Sequence, residues 1–462
     1  MLKKKYREQP HRPEQPFLLP PSMDDLIPQN APVRMLRDVV SRLDLSELER
    51  RYSRVGNPRY NPRMLLTVHL LGFLEGVRSS RRLEQALLTD IRFMFVSGMS
   101  HPDYRTIARF RRDNAEHLQG LFVQTVELCQ EAGLVLLEHV SVDGTKIEAD
   151  VALRETYSRE RLAKARAALT ARIERLLAEA EAIDALEDAE LGDRRLDELP
   201  EELKDAERRK KRLDEAEEKL RETHHKSVPA TDLDARVMKT RSGHRAGYNG
   251  QVVVDRHRLV IVAAELTNDC TDNAQFAPML DQVTANTGAQ PLEATADCGY
   301  HNKETLGYIA ESGLNAYVPY GGREAKAAEA YTYDADRDTY TSEDGVVLTF
   351  RHIRTSAGFT HRVYRSRRSK MHKSRELCVR ADDDLQKMMK AKMSTAEAKA
   401  IYKWRQQVVE PVFGRLKTRF NLRRFLLRGL PGASAEFLLA CMAHNLDKIR
   451  VFGRPMGVAG AV

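Results

Sequence analysis

The chain has 462 residues, 42% hydrophobic and 31% charged. That is enough for a packed core of two or three domains and too apolar for a wholly disordered chain. No run approaches the about 18 apolar residues of a membrane span, and the basic N-terminus is followed by polar and proline-rich residues rather than the apolar stretch of a secretory signal. The five cysteines are scattered and never form a CxxC pair, which fits a reducing cytosol and argues against disulfides or a thiolate zinc site. Lys and Arg number 75 against 67 Asp and Glu, a formal charge of +8. A basic balance favours a polyanionic partner, but the excess is modest, so the placement of the charge decides.

Residues 1–30 are rich in proline and charge and read as a flexible basic tail. The span 31–132 has a helical pattern. Asn61-Pro62 reads as an N-cap and first helical position before the apolar stretch 64–74. His101-Pro102-Asp103 turns into a helix from Tyr104 on which Arg105, Arg109 and Arg112 recur at i, i+4, i+7, while Ile107 and Phe110 lie off that stripe. A short helix, a turn containing Gly98 and a basic helix resemble the helix-turn-helix layout of DNA readers. The plainer alternative is a solvated arginine face on an ordinary bundle.

Residues 134–142 are strand-like and end at Asp143-Gly144, with 146–153 expected to pair back as a hairpin. The stretch 159–222 carries 16 basic and 20 acidic residues, too charged to fill a core. Its sevenfold leucines and the breakers Gly192 and Pro200 predict a charged antiparallel helical hairpin inserted at 159–226. Strands are expected at 250–255 and 259–265. Asp272-Asn273 is expected to open a helix to about 287, with Asp272 read as its cap rather than as a residue supporting the acidic site. A strand at 292–296 ends at Asp297, followed by a helix at 302–312 and a strand at 314–319. Residues 322–395 read as a second insertion. From 351 to 375 it holds nine Lys or Arg and no acid, which localises the basic charge into a candidate phosphate track. A helical block from 395 to 450 and a short tail, 451–462, complete the chain.

Three carboxylates stand out. Asp143 and Asp297 end apolar strands, and Glu410 lies inside an amphipathic helix. In mixed sheets such strand ends gather at one rim. Converging carboxylates repel, burial adds to the cost, and a divalent cation resolves both. Oxygen ligands without a histidine or cysteine cluster suggest Mg²⁺ or Mn²⁺. Taken singly each acid is weak evidence, since Asp-Gly is common in turns. The order strand–Asp, hairpin strands, strand–Asp, helix–Glu is more specific. It predicts an α/β, RNase H-like mixed sheet flanked by helices, with an all-α N-terminal domain before it and the charged hairpin within it.

The motifs Val142-Asp-Gly-Thr-Lys, Ala296-Asp-Cys-Gly-Tyr and Tyr402-Lys-Trp-Arg-Gln-Gln-Val-Val-Glu-Pro-Val-Phe-Gly-Arg-Leu-Lys resemble those of DDE transposases of bacterial insertion sequences. Residues 61–66, 79–84 and 102–111 resemble that family's N-terminal region. The resemblance implies that Asp143, Asp297 and Glu410 are the catalytic, metal-binding triad, with Tyr402, Arg405 and Lys417 as accompanying DNA-binding residues. One more residue separates Arg405 from Glu410 than in the general signature. The resemblance further implies Mg²⁺- or Mn²⁺-dependent cleavage and strand transfer at the inverted repeats of a mobile element, double-stranded DNA as partner, a homodimer in the synaptic complex, and a bacterial cytoplasm beside the nucleoid. Alternatives are a catalytically silent DNA-binding relative and an RNase H-like nuclease without strand transfer.

Overall fold

The computed structural model describes residues 22–50, 60–191, 201–223, 225–240, 243–321, 331–356, 359–366, 375–380 and 384–453. Residues 1–21, the basic stretch 367–374 and nearly all of the C-terminal tail lie outside the described residues.

Eight helices open the described chain: α1 (Met23–Leu26), α2 (Pro32–Arg42), α3 (Ser46–Arg50), α4 (Pro62–Leu74), α5 (Ser80–Thr89), α6 (Ile91–Ser97), α7 (Tyr104–Asp113) and α8 (Leu118–Glu131). Their ends follow local rules. The Asn61 side chain accepts the N–H groups of Arg63 and Met64 with Pro62 at the first position, a cap that satisfies otherwise orphaned donors. Gly98 takes the left-handed conformation that ends α6, and Asp103 caps α7 through Thr106. The tail is shorter than expected. Ser22 caps α1, and Arg34 binds the Asp24 carboxylate and the carbonyls of Ile27 and Pro28, so these interactions tie the chain to α2 from residue 22.

β1 (His139–Glu148) is one unbroken strand, not the expected hairpin. It pairs antiparallel with a later strand throughout, including Asp143 opposite Val252, Gly144 opposite Gln251 and Lys146 opposite Asn249. Asp-Gly therefore sits in mid-strand instead of at a turn. β2 (Thr156–Ser158) leads into the inserted hairpin, α9 (Arg159–Leu191) and α10 (Glu201–Thr223), and β3 (Ser227–Pro229) pairs with β2 to close its base. The helices run antiparallel. Arg166 pairs with Asp214 and Glu217, and Leu162, Leu169, Ile173, Leu203, Leu213 and Leu220 form a small core separate from the main one.

β4 (Arg236–Thr240), β5 (Gly243–Asp255), β6 (Ile261–Thr267), α11 (Phe276–Thr287), β7 (Glu293–Thr295), α12 (Lys303–Ser312) and β8 (Asn315–Tyr317) complete the central sheet and two of its flanking helices. β4 and β6 both pair with β5. β1 lies on its other side, followed by β7 and β8, which run parallel to β1. This is the mixed, RNase H-like sheet that the sequence predicts, preceded by helices. A separate antiparallel meander, β9 (Tyr331–Asp334), β10 (Thr339–Ser342), β11 (Val347–Ser356), β12 (Phe359–Arg365) and β13 (Glu376–Arg380), forms the second insertion. That insertion ends before residue 384, because α13 (Asp384–Ser394) packs on α12 and β8 beside the main sheet.

α14 (Ala396–Gly414) runs along β1, and α15 (Leu430–Phe452) packs against α8, α4 and β6. One apolar cluster extends from Ile27 through the sheet to Ile449, so the N-terminal helices share their core with the central sheet. A buried ion triad reinforces the junction. The carboxylate of Glu436 on α15 takes Arg78 at 2.6 Å and Arg111 of α7 at 3.1 Å.

Candidate active site

The parallel pairing of β1 and β7 sets His139 beside Glu293 and Ser141 beside Thr295, with the two hydroxyls 2.8 Å apart. The chain leaving β7 therefore reaches Asp297 level with Asp143. Each carboxylate is anchored locally. Asp143 Oδ1 accepts the Gly144 N–H at 2.9 Å, and Asp297 Oδ1 accepts the Gly299 N–H at 2.7 Å, capping the turn Cys298–Tyr300. Burial pushes the Asp143 carboxyl up to about 6, Arg405 opposes that rise, and Asp297 adds to it through like-charge repulsion.

The opposing cation comes from α14, capped at Thr395. Arg405 Nη1 lies 2.9 Å from Asp143 Oδ2, and the Arg405 side chain is only 14% exposed. The approach is off the line a hydrogen bond needs, since Nη1 and Nε have no hydrogen-bond partner among the described residues. The contact is chiefly one of charge. The sequence points Arg405 toward DNA; in the structure it points at the acid pair. Tyr402, one turn earlier, feels Arg405, Asp297 and Cys298, and burial raises its phenol above the ordinary range. Lys417, on the π-helical turn Arg415–Arg419 after α14, donates to the Lys146 carbonyl of β1 at 3.3 Å.

Glu410 is placed differently. It is exposed on α14, directly before Pro411, and makes no hydrogen bond or ion pair with a described residue. Among the described residues no set of three histidines, cysteines, aspartates or glutamates is close enough to hold an ion. The structure thus brings Asp143, Asp297 and Arg405 together, sets Tyr402 and Lys417 at the edge, and leaves Glu410 on the open flank. Arg105, Arg109 and Arg112 lie on the exposed face of α7, while Ile107 and Phe110 face the core, as their spacing predicts.

Sequence reading favoured the cap for Asp272 over a place behind the acidic pair and missed the polar residues around it. Asp272 does not cap α11, whose cap position is Gln275. Its Oδ1 accepts Lys146 Nζ at 3.1 Å, Asn249 Nδ2 at 2.7 Å and Gln251 Nε2 at 2.7 Å. Gln251 in turn accepts from the Tyr300 hydroxyl at 2.5 Å. Tyr300 is fully buried. Burial first, and then the charges of Asp272, Asp143 and Asp297, hold its phenol neutral far above the ordinary range. The available signal was the alternation Asn249-Gly-Gln251 in an otherwise apolar strand, which places two amides on one face.

The donor set suits a hard divalent cation. Two carboxylates lie within electrostatic reach of each other, one of them strongly desolvated, and the charge balancing them is a guanidinium whose Nη1 and Nε have no hydrogen-bond partner among the described residues. A profile described as a transposase domain (DUF772) matches residues 21–113, and one described as a transposase DDE domain matches residues 222–446. Asp297 and Glu410 fall inside the second match, and Asp143 lies between the two. No curated protein matches the chain.

Proposed function

The chain belongs to the DDE transposases of insertion-sequence type, and we propose that it cuts DNA at the ends of its element and joins the freed 3′ ends to a target, using Mg²⁺ or Mn²⁺. The single observation that carries this reading is the meeting of Asp143 and Asp297 under the charge of Arg405. A divalent cation bound there would supply Lewis-acid chemistry, activating an attacking oxygen and stabilising the leaving 3′ oxygen.

The chain's own residues do the rest. Asp143 and Asp297 would hold the cation, and Glu410 would complete the set from α14. Pro411 lacks the N–H that would bond one turn back, and the π-helical turn Arg415–Arg419 follows it. Such interruptions recur at functional sites, and they leave this end of α14 free to adjust as DNA engages. With a cation bound between the aspartates, Arg405 would be free to turn from Asp143 to the scissile phosphate, with Lys417 and Tyr402 beside it. Arg105, Arg109 and Arg112 grip the end sequence, and two copies of the chain pair the two ends.

The test uses a duplex carrying one end of the element that encodes the chain. Wild-type protein with Mg²⁺ should nick it at the element boundary. Asp143→Asn and Asp297→Asn should abolish nicking while retaining end binding in a mobility-shift assay. Nicking by either variant at the wild-type rate would refute the assignment. Arg105→Ala with Arg109→Ala should weaken end binding, and the wild-type affinity should fall steeply with salt.

A further inference from the structure

Side chains alternate along β1, so Asp143 and Gly144 point to opposite faces. Asp272 meets the strand on the Gly144 face. A Cβ on Gly144 would stand 2.5 Å from Asp272 Oδ1 and 2.4 Å from Gln251 Nε2, so any larger residue would force both side chains to shift. The other oxygen of Asp272 accepts nothing from a described residue and reaches the second aspartate turn. A Cβ on Gly299 would stand 3.7 Å from Asp272 Oδ2 and 2.9 Å from Asp297 Oδ1. One carboxylate therefore abuts the backbone beside Asp143 and the backbone beside Asp297.

Its support is unusually polar for a sheet interior. Asn249 and Gln251 are both fully buried. The buried Asn249 Oδ1 has no partner among the described residues, and it lies 3.1 Å from the same missing Cβ of Gly144. Leaving a buried amide oxygen unpaired is costly, and packing alone would be served better by apolar side chains.

We infer that Asp272 is a positioning residue of this active site: it fixes the spacing of the two aspartate-bearing turns and supplies a third negative charge that sets their affinity for a divalent cation. This rests on the cleavage reading above. Lys146 offsets part of the charge of Asp272, and Arg405 offsets part of that of Asp143, leaving the three aspartates with a net negative charge that attracts the cation.

The test compares Asp272→Asn and Lys146→Gln in the full chain, reading Mn²⁺ binding by electron paramagnetic resonance and the Mg²⁺ dependence of end cleavage. Asparagine keeps the acceptor oxygen and the shape but removes the charge. Asp272→Asn should weaken Mn²⁺ binding and raise the half-saturating Mg²⁺ concentration by at least about tenfold, the scale of one pKa unit of charge interaction. It should leave end binding and the rate at saturating metal near wild type. Lys146→Gln should shift Mn²⁺ binding the opposite way, to tighter. It keeps the inference open to refutation should Asp272→Asn fail to fold. An unchanged metal requirement in Asp272→Asn would show a merely structural role. Loss of cleavage that saturating metal does not restore would show a direct ligand. Weaker Mn²⁺ binding in Lys146→Gln would contradict the charge balance. Any of these overturns the inference. Continued cleavage by Asp143→Asn in the same assay would instead overturn the cleavage reading itself.

Discussion

The guanidinium of Arg405 stands 2.9 Å from the carboxylate of Asp143, nearly enclosed and without a hydrogen bond on Nη1 or Nε. Held chiefly by charge, it behaves as an internal counter-ion where a divalent cation would bind. Removing it should relieve competition for that place. Arg405→Gln is expected to bind Mn²⁺ in the absence of DNA roughly tenfold more tightly than wild type at pH 8, and to cleave poorly because the phosphate loses its partner. Calorimetric titration of both proteins checks this. Equal or weaker Mn²⁺ binding by the variant would show that Arg405 is not a placeholder.

Gly144 offers a steric test of the same centre. A single methyl group there collides with Gln251 and Asp272. Gly144→Ala is expected to cost about 1–3 kcal/mol of stability, the usual scale of overpacking. It should lower cleavage by roughly a hundredfold, since displacement of a reacting group by about 1 Å has that effect. Thermal unfolding and single-turnover cleavage measure the two effects.

The Arg78–Glu436–Arg111 triad joins the N-terminal helices to α15. Its side chains are 5%, 0% and 3% exposed. Glu436→Gln leaves two buried guanidinium groups without a counter-charge. Breaking a buried pair in this way typically costs about 3–5 kcal/mol. Denaturant unfolding should show that loss. It should also show one transition for both regions, as their shared apolar core requires.

Acid should destabilise the fold through two buried histidines. Burial pushes His444 down to about 3, and burial also drives His69 well below the ordinary histidine range. His444 Nε2 donates to the Leu259 carbonyl at 2.7 Å, which leaves Nδ1 unprotonated and without a partner. Both rings are neutral when folded, so their contribution is undiminished above the unfolded pKa of about 6.5. As pH falls below that value the unfolded state binds protons that the folded state refuses. Each histidine then costs up to about 1.4 kcal/mol per pH unit. His444→Asn should flatten the fall in stability between pH 6 and pH 4 in urea titrations.

The legible part of the fold was the part set by local pattern. The order of strands and helices, the Asn61 cap, the turn before Tyr104, the charged hairpin and the Arg105 stripe follow from spacing and capping chemistry along the chain. Asp297 was legible because it closes an apolar strand. The misread parts depend on contacts across the fold. Asp143-Gly144 looks like a turn, but Gly144 is dictated by Gln251 and Asp272, residues more than a hundred positions away. Asp272 resembles a helix cap because acids commonly precede helices, and only the register of β1 with β5 reveals its neighbours. The Glu436 triad carries no local signature, since an arginine reads as surface until its partner is found.

The central claim is that Asp143 and Asp297 share a divalent cation beside DNA. Crystals of the protein with an element-end duplex and Mn²⁺, measured at the manganese absorption edge, test it most directly. An anomalous peak about 2.0–2.2 Å from oxygens of both aspartates, with Arg405 turned from Asp143 to a phosphate, is the expected result. Manganese bound only elsewhere, with Arg405 still on Asp143 in the DNA-bound state, would contradict it.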